Sequence, residues 1–299
     1  MSRITRRREL IGLLSACAAL LSSCSYGVLN PQGPVGAREK LILIDATTIM
    51  LAVVIPVIVC TLAFAWWFRS RNKRARRRPE WQYSGRIEFV TWSIPALIVL
   101  FLSGVAWIGS HDLDPPKPLS DAGAPGVVQI EVISLDWKWL FIYPQERVAA
   151  VNELVIPVNT PVHFKLTSGS VMNSFFVPQL GSQIYTMAGM TTQLNLLASH
   201  EGTYNGISAQ FSGDGFSDMR FDVRAVPSEE YKAWLVSAHA DADHLDVPRY
   251  ARLAEPSRDN EPQIFGQVAA GLFESIVRNH GAAPGASGPP SPSATDASL

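Results

Sequence analysis

Residues 41–68 read LILIDATTIMLAVVIPVIVCTLAFAWWF, and residues 89–110 form a second long apolar stretch. The first stretch carries a single charge, Asp45, near its start. An α-helix rises about 1.5 Å per residue, so about 20 residues cross the ~30 Å hydrocarbon layer of a bilayer. Tryptophans lie near the ends of both stretches, as they do at membrane interfaces. The two stretches therefore predict a hairpin of membrane-spanning helices within residues 41–112.

The segment between these stretches is strongly basic. Residues 69–78 contain seven Lys or Arg residues and no acid. The positive-inside rule places this connection, residues 69–86, in the cytoplasm, with the outer ends of both helices on the export side. A soluble helical hairpin is the alternative, but it needs a polar face on each helix, and neither stretch has one.

The rest of the chain has the opposite charge. Residues 109–299 contain 11 basic and 21 acidic residues, although the formal net charge of the 299-residue chain is only −1. A nucleic-acid-binding protein would carry its basic charge on the folded domain. The composition, 47% apolar and 17% charged, also excludes collagen, coiled-coil and disulfide-stapled classes. The sequence therefore predicts a membrane-anchored protein that does not bind nucleic acid.

The first 23 residues are organised like an export signal. Four arginines precede the apolar segment 10–21, which is too short to span a bilayer, and Leu21-Ser-Ser-Cys24 closes it. This ending is similar to a bacterial lipoprotein signal, in which the cysteine is acylated and becomes the first residue. We therefore expect cleavage after residue 23, a lipid such as palmitate on Cys24, and export of residues 24–40. An ordinary signal peptide with an incidental cysteine is the alternative.

Between residues 127 and 226, apolar residues alternate with polar ones. Clear examples are residues 128–132, 162–167 and 219–225. This period of two is typical of strands with one buried face and one solvent-exposed face. Gly and Pro residues divide the segment into about eight short strands. The pattern predicts an exported all-β Greek-key sandwich or barrel within residues 113–226.

Helical spacing returns after residue 227. Apolar and aromatic residues of 231–238 share one helical face, and those of 262–280 recur at steps of three and four. A proline at the start of 262–280 and a glycine after its end suit the boundaries of a helix. We therefore expect an aromatic-rich helical extension over residues 227–280. Residues 281–299 are mostly Gly, Pro, Ser and Ala without an apolar period, which predicts a disordered tail.

Glu88 lies just before the second apolar stretch, on the cytoplasmic side. Acids at such positions are commonly solvated and favoured by the dipole at the helix N-terminus. The functional alternative is a carboxylate through which protons enter a partner subunit. The residue by itself leaves both interpretations open.

Four further stretches carry distinctive residues. They are Glu88-Phe-Val-Thr-Trp92-Ser-Ile-Pro95, Leu113-Asp-Pro-Pro-Lys-Pro-Leu119, Asp136-Trp137-Lys138-Trp139-Leu-Phe-Ile-Tyr143-Pro144, and Val171-Met-Asn-Ser-Phe-Phe-Val-Pro178 together with residues 202–219. Two spans, an exported sandwich and these stretches together resemble subunit II of the haem-copper respiratory oxidases. The resemblance covers about residues 24–280 and implies a cupredoxin-like fold for the exported domain.

The chain departs from this family at the metal ligands. In the family's cytochrome c oxidases, loops of the exported domain hold a binuclear copper centre through two Cys, two His, a Met and a backbone carbonyl. Here only Met219 keeps its type, and the other ligand positions hold Asn173, Ser208, Gln210, Ser212 and Phe216. Copper in such a site requires soft thiolate and imidazole ligands. The comparison implies no metal and no other cofactor in this chain.

A chain that keeps this scaffold without its ligands resembles the ubiquinol oxidase branch of the family, in which a lipid-soluble quinol delivers the electrons. The resemblance implies a complex that oxidises ubiquinol, reduces dioxygen to water and moves protons, with haem and copper in subunit I. This chain would be a non-catalytic subunit beside subunit I and further subunits III and IV. It would lie in the bacterial inner membrane as a multi-pass lipoprotein, with its C-terminal domain in the periplasm. Glu88 would be a candidate for proton uptake.

Two alternatives belong to other classes. One is a copper-binding, cytochrome c oxidase-like subunit II, and the other is a stand-alone periplasmic lipoprotein with a cupredoxin-like binding module. In a cytochrome oxidase, electrons would pass along Trp137 and Trp139. Here we interpret these two residues as core and interface aromatics.

Overall fold

The computed structural model describes residues 27–76, 79–119, 126–241, 243–258 and 260–279. These residues divide into two units, one formed by residues 38–114 and the other by the remainder of the chain. The predicted signal peptide, Cys24 and the tail 281–299 lie outside the described residues.

The first unit contains two helices, α1 (Pro34–Trp67) and α2 (Gly85–Asp112). Both are long and apolar enough to cross a membrane, and neither is buried within the protein. Helix α1 begins seven residues before the apolar run, because Pro34 suits a first helical turn. A Cβ atom on Gly109 would lie 2.8 Å from Cδ1 of Ile42, so a small residue lets the helices approach closely.

In the described part of the second unit, ten strands before residue 227 form a two-layer β-sandwich, to which one strand of the C-terminal extension is added. They are β1 (Val128–Leu135), β2 (Lys138–Tyr143), β3 (Val148–Val151), β4 (Glu153–Pro157), β5 (Val162–Ser168), β6 (Asn173–Val177), β7 (Gly181–Thr186), β8 (Thr192–Leu196), β9 (Gly202–Ser208) and β10 (Arg220–Val226). The first sheet has the order β3-β2-β1-β5-β8, with β1 and β5 parallel. The second has the order β4-β10-β9-β6-β7. The predicted all-β exported domain is confirmed.

The inner core lies between the two sheets. Its centre is a group of aromatic rings whose neighbouring centroids lie 5.1 to 5.5 Å apart: Trp139, Phe141, Phe175 and Phe221. Such edge-to-face and offset contacts stabilise the core beyond the contribution of the apolar area that the rings bury. The interpretation of Trp139 as a core residue is confirmed, since its side chain is fully buried.

Three helices and three short strands lie in the part of the C-terminal extension that the structure describes. They are α3 (Ser228–His239), β11 (His244–Leu245), α4 (Val247–Leu253), β12 (Gln263–Phe265), β13 (Gln267–Val268) and α5 (Leu272–Arg278). The prediction of one helix over 262–280 is wrong for its first half. Residues 263–265 pair with β3 at the edge of the first sheet, and this pairing overrides their helical spacing. Gly271, with a φ of 70°, separates the strands from α5.

The extension builds a second core on the outer face of the first sheet. Tyr250, Phe265, Leu272, Phe273 and Ile276 pack there against the outward residues of β1, β2 and β3. All six residues of β2 are therefore buried. The prediction of a solvent-exposed face is wrong for Glu131 of β1 and for His163 and Thr167 of β5, which are buried. It is correct for β10, where Arg220 and Asp222 are exposed.

Candidate functional site

The positions of the family's metal ligands meet at one end of the second sheet. Asn173 begins β6 and Ser208 ends β9, and these strands are paired. The Ser208 backbone N–H donates to the Met219 carbonyl at 3.2 Å, which draws the loop after β9 back over the strand ends. The structure therefore brings Asn173, Ser208 and Met219 together.

Hydrogen bonds among neutral groups hold this site. The Ser208 hydroxyl lies 3.1 Å from Oδ1 of Asn173 and 3.2 Å from the Gln210 carbonyl oxygen, both of which are acceptors. The Ser212 hydroxyl points at the Met219 sulfur at 3.9 Å. Asn173 is 0% exposed and Ser208 is 5% exposed, so these contacts are sheltered from water. Buried polar groups that find such partners avoid the desolvation penalty of about 1–3 kcal/mol.

Phe216 takes no part in this polar network. It lies in a 3₁₀ turn, Phe216–Asp218, and its ring centroid is 5.6 Å from that of Phe211. Phe211 is 71% exposed, so this aromatic pair lies at the surface of the loop. A phenyl ring offers no lone pair to a metal.

The residues present do not fit a copper centre. The donor set consists of two hydroxyls, two amide side chains and one thioether, whereas copper sites use thiolate and imidazole. Among the described residues, no group of three His, Cys, Asp or Glu side chains could hold a metal ion. Cys60, the cysteine within the described residues, lies in α1. No electron-transfer step can therefore be derived through a metal at this site.

Trp137 lies between this loop and the extension. Its Nε1 donates to the Ser212 carbonyl at 3.1 Å. A Cβ atom on Gly215 would lie 2.5 Å from the indole ring, so this position must be glycine for the loop to pack there. Trp137 adopts the left-handed conformation, with a φ of 64°, at the turn between β1 and β2. Its interpretation as an interface aromatic is confirmed by these contacts.

Glu88 lies in the first turn of α2 and is exposed. Its backbone N–H donates to the Ser84 carbonyl at 3.0 Å, and its carboxylate is favoured by the positive end of the helix dipole. Glu88 belongs to the first unit, whereas the polar loop site belongs to the second.

Sequence reasoning missed two buried charges under the extension. Glu131 on β1 is 9% exposed, and its pKa is raised to about 7 by burial and by Glu274, against the opposing effect of Lys165. Lys138 on β2 is 2% exposed, and burial lowers its pKa. Lys138 stands between two tryptophans at the start of an apolar strand, a position that could have indicated burial on both faces of the sheet.

Two family models match the second unit. The model for "Cytochrome C oxidase subunit II, periplasmic domain" matches residues 129–226, and the "COX Aromatic Rich Motif" matches residues 239–280. These ranges correspond to the sandwich and to most of its extension. Among solved structures, the periplasmic domain of subunit II of cytochrome oxidase from Bradyrhizobium japonicum is similar at 21% identity and a TM-score of 0.37, covering 41% of this chain and 94% of that chain.

Relatives match over most of the chain. The "Ubiquinol oxidase subunit 2" of Acetobacter aceti is 47% identical over 279 residues, covering 93% of this chain and 90% of the relative. The "Cytochrome bo(3) ubiquinol oxidase subunit 2" of Pseudomonas aeruginosa is 48% identical over 274 residues, covering 91% and 82%. The "Quinol oxidase subunit 2" of Bacillus cereus is 35% identical over 230 residues, covering 77% and 78%. The chain therefore belongs to the ubiquinol oxidase subunit 2 family.

Proposed function

We propose that this chain is subunit II of a proton-translocating ubiquinol oxidase and that it carries no redox centre of its own. The complex oxidises ubiquinol to ubiquinone and reduces dioxygen to water. The identity of 47–48% with ubiquinol oxidase subunits over more than 90% of the chain supports the assignment over a cytochrome c oxidase-like subunit or a stand-alone module.

The observation that carries the non-catalytic role is the neutral hydrogen-bonded site at Asn173, Ser208 and Met219. Its groups satisfy one another and contain no soft anionic ligand. A quinol dissolves in the lipid, so it does not require an electron acceptor in the exported domain. The chain then contributes a membrane hairpin and an exported domain to the complex.

The cofactors and the remaining partners follow from this role. Haem and copper reside in subunit I, and subunits III and IV complete the complex. Outside the contact between α1 and α2, the apolar surfaces of both helices are exposed and would contact subunit I and lipid. Packing and small residues such as Gly109 hold such contacts, because lipid provides no hydrophobic drive for helices to associate.

Co-purification tests the proposed function. The full chain, tagged at its C-terminus, is extracted from membranes in mild detergent, and the eluate is assayed for bound haem and for ubiquinol oxidation. We expect a haem-bearing membrane subunit to accompany the chain and to oxidise ubiquinol. Recovery of the chain alone, or with partners that contain no haem, would contradict the proposal.

The N-terminal segment makes this subunit a lipoprotein of the inner membrane, with its C-terminal domain in the periplasm. Signal cleavage after residue 23 exposes Cys24, whose acyl chains add roughly 0.8 kcal/mol of burial per methylene group. Mass spectrometry of the mature chain should find an acylated residue 24, which is lost in Cys24→Ser and kept in Cys17→Ser. An unmodified N-terminus upstream of residue 24 would refute this assignment.

Glu88 serves as the carboxylate through which protons enter subunit I from the cytoplasm. Its position in the first turn of α2, beyond the apolar run and exposed, supports this role. We expect Glu88→Gln to slow turnover of the assembled oxidase while leaving its haem content unchanged. Glu80→Gln is the matched control, since Glu80 is also exposed and lies in the basic connection just before α2. Equal turnover of the two variants would remove Glu88 from the pathway.

A further inference from the structure

Residues 255–258 run from the end of α4 towards β12 and cross the turn between β1 and β2. We call these four residues the strap. The Lys138 ammonium donates to the Glu255 carbonyl at 2.8 Å and also to the Ser257 hydroxyl. Lys138 is almost fully buried, so its charge depends on these acceptors for the hydration it has lost. A buried lysine therefore fixes the strap to β2.

The far end of the strap rests on Trp137. The Arg258 guanidinium carbon lies 5.3 Å from the indole centroid, and Nη2 is 3.3 Å from Oδ2 of Asp214 in the loop after β9. A guanidinium can stack on an aromatic ring and bind a carboxylate at the same time, because its charge is spread over a planar group. One side chain of the strap thus reaches both the indole and the loop.

Trp137 is also held by the loop after β9. Its Nε1 donates to the Ser212 carbonyl, and the backbone of Gly215 packs against its ring. Two residues beyond Arg258, Asn260 is tied to the sandwich because its carbonyl accepts from Nδ2 of Asn152 at 2.9 Å. Trp137, which is half-buried, therefore contacts both the loop and the extension.

We propose that the strap locks Trp137 and the loop 212–215 into one closed unit at this end of the domain. The extension would then replace, with contacts from its own chain, the cross-link that a metal could have provided at this end of the domain. This role is independent of ubiquinol oxidation and of Glu88.

Hydrogen–deuterium exchange on the assembled oxidase tests the proposal. The Phe216 N–H donates to the Gly213 carbonyl and the Asp218 N–H to the Gly215 carbonyl, so both amides report opening of the loop. We expect Arg258→Ala to speed exchange of these amides about five- to tenfold, given the usual interaction free energy of an arginine that stacks on a ring and pairs with a carboxylate. Lys138→Met should give a similar increase by releasing the other end of the strap.

Two controls and one conservative variant make the result specific to Arg258. Arg252→Ala removes an arginine of the same extension, in the last turn of α4, and should leave the loop amides unchanged. The amides of β6 serve as an internal reference for the integrity of the sandwich in every variant. Arg258→Lys keeps the charge without the planar group and should give an intermediate rate.

The proposal is overturned if the loop amides of Arg258→Ala and Lys138→Met exchange at the wild-type rate. It is also overturned if Arg252→Ala opens the loop as much as Arg258→Ala does. Faster exchange of the loop with unchanged exchange in β6 supports it.

Discussion

The two sheets of the exported domain have similar alternating sequences but different surroundings. The sheet that contains β1 and β2 is covered on its inner face by the second sheet and on its outer face by the extension. In the sheet that contains β10, the outward residues of β9 and β10 remain largely exposed to solvent. A period of two therefore shows which residues share a face of the sheet. Whether that face is exposed to solvent depends on which other segments of the chain pack against it.

This difference places charges in unequal environments. Arg220 and Asp222 on β10 remain hydrated, whereas Glu131 and Lys138 are buried beneath the extension. Burial lowers the pKa of Lys138, which donates hydrogen bonds to the strap. Glu131 has a raised pKa because burial disfavours its anion. The free energy of unfolding should therefore depend on pH through the sheet that is covered on both faces.

The largest expected effect breaks the core that both sheets share. Phe141→Ala removes a fully buried ring that contacts Phe221, and the cavity should cost about 3–5 kcal/mol of unfolding free energy. Urea unfolding of the full chain in detergent, followed by tryptophan fluorescence, measures this loss. Val236→Ala, at an exposed position of α3, is the control and should change stability little. Equal stability of the two variants would show that the inner core does not hold the sheets together.

A somewhat smaller effect isolates the outer core. Phe273→Ala removes a buried ring of α5 and should cost about 2–4 kcal/mol, confined to the docking of the extension. Amide exchange should rise in α5 and β12 but not in β9 and β10, which lie in the other sheet. Uniform acceleration across both sheets would mean that the extension and the sandwich unfold as one unit.

The pH dependence of stability sharpens the contrast between the two sheets. Folding raises the pKa of Glu131 from 4.5 to about 7, so the folded state holds the proton more tightly. The resulting stabilisation is complete below pH 4.5 and is lost as the pH rises towards 7, an effect of about 1–3 kcal/mol after allowance for partial solvent screening.

Glu131→Gln should flatten this part of the stability profile, because an amide does not titrate. Glu274→Gln should lower the folded-state pKa of Glu131, because it removes a carboxylate that raises this pKa. Less stability should then be lost between pH 4.5 and 7 than in the wild type. Glu229→Gln, at an exposed position of α3, is the control. A wild-type pH profile in Glu131→Gln would contradict the account of the doubly covered sheet.

The smallest expected effect concerns the polar site at Asn173 and Ser208, at the end of the second sheet. Ser208→Ala leaves Oδ1 of Asn173 without its hydroxyl donor and should cost about 1 kcal/mol. Thermal unfolding of the full chain measures this change, with Ser217→Ala at an exposed position as its control. No loss relative to Ser217→Ala would show that the hydrogen bond does not stabilise the strand ends.

Local patterns predicted the hairpin, the sandwich and α3, because long apolar runs and sustained periods are unambiguous over enough residues. They failed for residues 263–268, where pairing with β3 and Leu245 overrides helical spacing. They also failed for Glu131 and Lys138, because the cover on the first sheet comes from residues more than 100 positions away. The polar site was predicted by resemblance, whereas its hydrogen bonds and the strap on Trp137 depend on contacts between distant loops.

Oxygen uptake by the purified complex tests the central claim most directly. The complex that contains this chain is supplied in turn with ubiquinol and with reduced cytochrome c, at matched reducing power. Because the exported domain offers hydroxyls and amides where a copper centre needs thiolates and imidazoles, we predict rapid oxygen uptake with ubiquinol and none above background with cytochrome c. Uptake supported by cytochrome c, with no response to ubiquinol, would contradict the account.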